Sequence, residues 1–337
     1  MVTGGCNPGQ GNGILVFVFF LMSRLYYKSA PFVNDKSEYT CYNNFRFGIY
    51  VKTSPPRVIS LRGISPVIYH GTLTTAFPTG GIIMPALELL KEKLQRREIV
   101  FGSTFSAINN LYIPKIFKGV GVDYMLFDCE HGNFMPELAV DMLQMCRACD
   151  LPTIIRVQDC EYHCISKCMD MGADGVLIPR TETEEQVKLA IASMRFYPRG
   201  RKGAGGIGLL RPGEDCDAFN NNRLLFLQIE SPLGVQNLDG FLTKYGNEIA
   251  GIIIGPCDMG IMSGEGLAAT SSPKVVEQIR QVIATCRRHE KSIGMYLSPG
   301  ELRRWIGEGM NILWCGSDQG FMAAGCKNTL NSIADLR

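Results

Sequence analysis

The residues best equipped for chemistry sit in one short run, Asp128-Cys-Glu-His131, at the end of the apolar stretch Met125-Leu-Phe127. Three ionisable side chains in four residues are costly to bury unless they pair, bind a cation or react. His131 exchanges a proton near neutral pH, which makes it the general acid/base candidate. Asp128 is placed to orient it, and Asp170 is a second acid that could raise its basicity. Arg156 carries a planar cation whose fork can hold a carboxylate through two bonds. Glu230 and Asp258 form a further pair, and two carboxylates converging in a cleft repel unless a proton or cation lies between them. Two protein oxygens, completed by water and a chelating substrate, suit octahedral Mg²⁺ or Mn²⁺. Against these readings stand plainer ones: acids at a helix N-terminus and salt bridges at a rim.

Alternating β and α patterns, running from about residue 82 to the C-terminus, must position these groups. Apolar runs predict strands over 99–105, 124–128, 152–157, 175–179, 223–230, 251–255, 292–296 and 311–315. Amphipathic spacing predicts helices over 85–94, 113–118, 135–149, 161–171, 182–195, 234–244, 272–289, 299–309 and 319–330. Eight β-then-α units are the arithmetic of a (β/α)₈ TIM barrel over 82–337. A doubly wound sheet is the alternative, but no glycine fingerprint follows the first strand. In a barrel, Asp128, Glu130, His131, Arg156, Gln228, Glu230 and Asp258 would all fall at carboxyl-terminal strand ends, the face where barrel active sites are built. Residues 1–81 do not conform and are expected to be an N-terminal extension, a leader or a poorly ordered segment.

The 337 residues are 46% apolar, enough for a large core, and the net charge of +2 gives no field that favours nucleic acid or an anionic membrane. The run 14–22 is nine residues long, too short to span a bilayer, which takes about 20. It has no basic residue before it and no clear cleavage site after it. Thirteen cysteines without a regular framework read as mostly free thiols in a reducing compartment, so the expected location is cytoplasmic. The acid-free segment 57–79 keeps a mitochondrial location open.

These groups suit the chemistry of a 2-oxo acid. A divalent cation would chelate its two oxygens, Arg156 would hold the carboxylate and the developing enolate oxygen, and His131 would move the proton. A Schiff-base route would need a lysine at a strand end, whereas the lysines, Lys202 included, lie mainly in helices and loops. A barrel that merely binds a 2-oxo acid, or serves in assembly, would not require the whole set.

From about residue 82 onward the chain resembles the HpcH/HpaI family of metal-dependent 2-oxo acid aldolases, of the 2-dehydro-3-deoxyglucarate or 4-hydroxy-2-oxoheptanedioate type. The resemblance rests on Phe127-Asp-Cys-Glu-His-Gly132, Ile154-Ile-Arg-Val157, Gly172-Ala-Asp-Gly-Val-Leu-Ile-Pro179, Leu227-Gln-Ile-Glu230, Ile254-Gly-Pro-Cys-Asp258 and Cys315-Gly-Ser-Asp318. It implies reversible cleavage of a 4-hydroxy-2-oxo acid to pyruvate and an aldehyde through an enolate held on Mg²⁺, Mn²⁺ or Co²⁺. It also implies a homo-oligomer, usually a hexamer with exchanged C-terminal helices. By position it makes His131 the acid/base residue, Arg156 the transition-state stabiliser, Asp170 the support of the histidine, and Glu230 and Asp258 the metal ligands. Gln228 and the backbone at Cys257 and Asp258 would contact the pyruvate part. A citrate-lyase-β-like enzyme acting on an acyl-CoA is the neighbouring possibility.

The chain departs from that pattern at Gly132-Asn-Phe134, where proline is common, and at Lys202, where arginine is usual. Both departures bear on the substrate's distal end. Among weaker features, Cys160, Cys164 and Cys168 with His163 resemble a metal stripe, but small thiols at helical spacing more often face a core. Cys146-Arg-Ala-Cys149 ends a helix and lacks a redox setting. The loop 198–206 is glycine-rich and basic but is no P-loop, and it reads as a mobile rim over a pocket.

Overall fold

The computed structural model describes residues 84–132, 136–206, 210–296 and 298–336, and four short strands among the first 83 residues. Two compact units, Met1–Ile83 and Met84–Arg337, make up the chain. In the first unit Val16–Val18 pairs antiparallel with Ile49–Val51, and Pro66–Tyr69 with Thr72–Thr75. The rest of the run 14–22 lies outside the described residues, as do Asn133 and Phe134.

The second unit is a closed barrel of eight parallel strands. They are β1 (Val100–Phe105), β2 (Tyr124–Asp128), β3 (Thr153–Arg156), β4 (Gly175–Ile178), β5 (Leu224–Ile229), β6 (Ile249–Ile254), β7 (Ser292–Tyr296) and β8 (Ile312–Ser317). Each strand pairs with its neighbours in chain order, and β8 closes onto β1. Period-two alternation sorts the strand residues. Met125, Phe127, Ile155, Val176 and Leu225 pack outward against the helices. Tyr124, Leu126, Ile154, Leu177, Phe226 and Ile312 fill the lumen. Tyr124 fits only because residue 102 is glycine, since a Cβ there would lie 2.0 Å from the Tyr124 ring.

Helix α1 (Ala86–Gln95) sets Leu87, Leu90 and Leu94 into the lumen cluster and so plugs the amino-terminal end of the barrel. Each such leucine, fully buried, contributes about 1.5–3 kcal/mol. Helices α2 (Ile113–Gly119), α3 (Pro136–Ala148), α4 (Tyr162–Asp170) and α5 (Glu184–Met194) follow β1 to β4. Helix α5 opens on a capping box in which Thr183 and Gln186 bind each other's backbone amides. Helix α6 (Cys216–Asn222) lies in the segment that showed no period, and α7 (Pro232–Tyr245) extends further at both ends than its spacing predicts. Helix α8 (Pro256–Met262) is a short element with no counterpart in the sequence reading. Helices α9 (Pro273–Arg288), α10 (Leu302–Glu308) and α11 (Asp318–Asn331) complete the unit. In α11 only Asp318 is buried; every residue from Gln319 to Leu336 is exposed.

No helix among the described residues is long and apolar enough to cross a membrane. None of the cysteines in these residues is in a disulfide. Cys160 and Cys168 are buried, and His163 is exposed and faces Glu161 at 3.2 Å. No group of three or more His, Cys, Asp or Glu is spaced to hold a metal among the described residues.

Candidate active site

The same alternation delivers the site. On β2 the lumen positions 124 and 126 continue to Asp128; on β3, 154 continues to Arg156; on β5, 224 and 226 continue to Gln228 and Glu230. These side chains emerge at the carboxyl-terminal mouth around a cavity of about 360 Å³. Its walls include Thr104, Asp128, Arg156, Gln228, Cys257 and Asp258, with Tyr296 and Trp314 as the aromatic side.

Arg156 is held tightly. It lies opposite Asp128 in the β2–β3 register. Its Nε donates to Asp128 Oδ1 at 2.9 Å and an outer nitrogen to Oδ2 at 2.6 Å. The other outer nitrogen lies 3.2 Å from Glu130 Oε2. The guanidinium also sits 5.6 Å from the centroid of the Trp314 ring, within cation–π range. Trp314 is fixed in turn, because its indole N–H donates to Thr104 Oγ1. The two-bond fork expected to grip a substrate carboxylate is therefore spent on Asp128. A substrate oxygen can meet only the remaining N–H donors.

Asp128 does more than pair. Its Oδ1 also accepts the backbone N–H groups of Glu130 and His131, at 3.1 and 3.2 Å, which folds the turn that carries both residues. Burial pushes the Asp128 carboxyl up, but the Arg156 hydrogen bond and charge, with the two amides, outweigh it and hold the pKa below the usual aspartate value. Glu130 goes the other way: its burial exceeds the pull of Arg156, His131 and Arg180, and its pKa is raised.

Glu230 lies almost fully buried beside the cavity. Its Oε1 accepts the Arg180 backbone N–H at 2.7 Å, and its Oε2 accepts from Gln228 Nε2 at 2.7 Å. Burial, with repulsion from Asp258 and Glu130, pushes its pKa up to about 7, although the Arg180 amide and Arg156 oppose the shift. Its recess depends on Gly255, where a Cβ would stand 2.2 Å from Glu230 Oε2 and 2.9 Å from Gln228 Nε2. Gln228 Oε1 is a buried acceptor without a hydrogen bond. Two carboxylates at one mouth whose charges repel, with a spare amide oxygen, make an all-oxygen donor set, which fits a hard divalent cation that keeps water and substrate oxygens as further ligands.

His131 stands apart. Its ring is 64% exposed, outside the cavity walls, and its recorded partner is Glu130 at 3.8 Å. Asp170 is not joined to it: its Oδ1 accepts from Lys202 Nζ at 2.5 Å, and Lys202 also donates to Ser166 Oγ at 3.2 Å. The ammonium of Lys202 is fully enclosed in these bonds, far from the open, neutral amine that a Schiff base needs. The structure thus brings Asp128, Arg156, Gln228, Cys257 and Asp258 to one cavity with Glu230 beside it, and leaves His131 and Asp170 outside its walls. Sequence reasoning missed Arg180, Thr104 and Trp314. Arg180 follows Pro179 at the end of β4, the one signal that could have marked it.

A parallel barrel that gathers carboxylates, a clasped arginine and amide donors at its carboxyl-terminal mouth has the build of an enzyme. The profile of the HpcH/HpaI aldolase/citrate lyase family matches residues 103–324, and the chain belongs to that family. It is a carbon–carbon lyase. The 5-keto-4-deoxy-D-glucarate aldolase of Salmonella arizonae is 31% identical over 250 residues, covering 72% of this chain and 95% of that protein. A solved HpcH/HpaI aldolase from Desulfitobacterium hafniense superposes with a TM-score of 0.64 at 23% identity, covering 72% of this chain and 96% of its own. A family protein from Burkholderia cenocepacia superposes at 0.66 with 20% identity, covering 73% and 99%.

Proposed function

We propose that the chain is a divalent-metal-dependent aldolase that cleaves a 4-hydroxy-2-oxo acid to pyruvate and an aldehyde. The observation that carries this reading is the buried carboxylate of Glu230, in a recess kept open by Gly255, bearing the negative charge of Asp258 from the cavity wall. When bound there by these two carboxylates, Mg²⁺, Mn²⁺ or Co²⁺ would act as a Lewis acid toward the negative charge that develops on the substrate. Arg156, fixed by Asp128, offers its remaining N–H donors to the same developing oxyanion. Gln228 and the start of α8 at Cys257 and Asp258 line the space for the pyruvate part. In the cleavage direction a base takes the proton of the C4 hydroxyl, the C3–C4 bond breaks, and its electron pair passes into the enolate. Protonation at C3 then releases pyruvate. His131 is our candidate for the proton transfers. Its exposed ring would reach the cavity by side-chain rotation or through a water, since hydrogen bonds of this kind are often loose without substrate.

The relatives named for 5-keto-4-deoxy-D-glucarate favour a polyhydroxy substrate with a second carboxylate, and Arg180 is a partly exposed cation at the rim able to meet one. The test is pyruvate release from simple 4-hydroxy-2-oxo acids and from this sugar acid, after chelation and after adding back each cation. Turnover that survives chelation, or that stops on borohydride trapping, would sink the reading.

We further propose a homo-oligomer assembled through α11. Its Phe321, Met322 and Leu330 keep apolar surface exposed, although one side of the Phe321 ring packs toward Phe117, with ring centroids 6.1 Å apart, and α2 exposes Ile116 while Tyr112 and Val120 at its ends are open as well. Light scattering on the full chain and on a Phe321→Asp variant tests this, and a monomeric parent chain would refute it.

A further inference from the structure

At the opposite end of the barrel from the proposed catalytic site lies a second cavity of about 470 Å³. It is floored by the amino-terminal ends of β5, β6 and β7, at Leu224, Ile249 and Ser292, and flanked by α1. A volume of that size lies in the range of small-molecule sites. Five cationic side chains line it: Lys91, Arg195, Arg199, Arg223 and Lys291.

Their pairing is incomplete. Arg223 is matched by Glu214 at 2.8 Å, a pair closed off from solvent. Arg195 and Arg199 share a single carboxylate, Glu248, at 3.1 and 2.6 Å. Arg199 also donates to Asn221 Oδ1 at 2.8 Å and Arg195 to the Arg223 carbonyl at 2.9 Å, both neutral acceptors. Lys91 donates to Asn222 Oδ1 at 3.0 Å, and Lys291 to the Ile249 carbonyl at 3.2 Å. Neither lysine forms an ion pair among the described residues. The other carboxylate in the lining is Glu290, exposed at the rim. Set against Glu248, Glu290 and the Glu214 that neutralises Arg223, the five cations leave two positive charges over.

A face that served stability alone would match its half-buried cations with carboxylates, because an unmatched charge out of water is costly. Burial lowers the pKa of Lys91 and Lys291, and pushes Arg195 down to about 10. In Lys91 the exposed Glu88 on the same helix opposes that shift without cancelling it. Guanidinium forks and ammonium points together are the usual grip on phosphate.

We propose that this amino-terminal cavity binds a phosphate-bearing small molecule, whose dianionic phosphate neutralises the surplus of Lys91, Lys291 and the Arg195–Arg199 pair. The site is separate from the lyase chemistry, since its walls come from the other ends of β5 and β6. The proposal therefore stands whether or not the aldolase reading holds.

Inorganic phosphate is the probe, added to the full chain in chloride buffer of matched ionic strength and followed by titration calorimetry. One saturable site per chain is expected. Lys91→Gln and Lys291→Gln each remove a charge-assisted bond and should weaken it about tenfold or more. Unchanged circular dichroism and lyase activity in both variants will show that they are folded. Phosphate heats that do not saturate, or saturable binding that both variants retain at parental affinity, would overturn the proposal.

Discussion

Asp128 and Arg156 are opposite residues on neighbouring parallel strands, and their side chains close a two-bond clasp across the mouth of the barrel. The register makes the clasp possible: each is the last residue of its strand, and each continues the lumen-facing set of its strand. Because the pair is largely buried, breaking it from one side strands a charge. Arg156→Gln should destabilise the fold by about 3–5 kcal/mol. Adding Asp128→Asn should cost less than the sum of the two single changes, because the stranded partner is then removed as well. Urea unfolding of the four proteins measures this, and simple additivity would deny the coupling.

The pH dependence of the clasp has a definite sign. The carboxyl of Asp128 has its pKa lowered in the folded chain, with the Arg156 bond outweighing burial. A lowered folded pKa gives stability that is present above the unfolded value, about pH 4, and is lost as pH falls through the folded value. The stability difference between the parent and Asp128→Asn should therefore be flat from about pH 5 to 7 and shrink below about pH 4. Unfolding curves at several pH values would show it, and a difference that grows on acidification would contradict the assignment.

Gly255→Ala adds one methyl group where Glu230 Oε2 stands at 2.2 Å and Gln228 Nε2 at 2.9 Å. The strain should be modest, about 1–3 kcal/mol, as for other overpacked sites. The effect on the proposed cation site should be larger, with Mn²⁺ affinity reduced by about 10–100-fold, the range for displaced supporting groups around a metal. Paramagnetic titration with Mn²⁺ reads this directly, without any assay of turnover.

His131→Ala tests the proposed proton transfer separately from cation binding. Aldol cleavage should fall by about 10²–10⁴-fold, the usual scale of general acid–base catalysis. Mn²⁺ affinity should stay near the parental value, since the ring lies outside the cavity walls. Loss of cation binding in this variant would mean that the roles are wrongly divided.

The period-two pattern made much of this legible before any coordinates. Once β2, β3 and β5 are located, Asp128, Arg156, Gln228 and Glu230 must share the lumen side at one end, whatever the exact strand limits. What the pattern could not carry is contact made after a strand ends. Arg180 serves Glu230 through its backbone N–H, and a main-chain donor leaves no mark in the side-chain code. Helix α8 has seven residues, fewer than the window of about 11–18 over which a helical period can be read. The fork of Arg156 looked free for substrate because nothing in the sequence says that β2 and β3 set Asp128 across from it. Asp170 and Lys202 lie 32 positions apart, and the ion pair between them became visible only in three dimensions.

Arg180 holds a left-handed backbone conformation, φ 48°, while its amide secures Glu230 and its side chain reaches toward Glu130 and Asp159 at 3.4 Å. The two tasks sit on different parts of the residue. A changed side chain at this position would leave the amide in place, so the carboxylate it secures would be undisturbed. If the proposed site is the active one, position 180 is thus a point where descendants of this barrel could acquire a new preference in substrate without rebuilding the floor of that site.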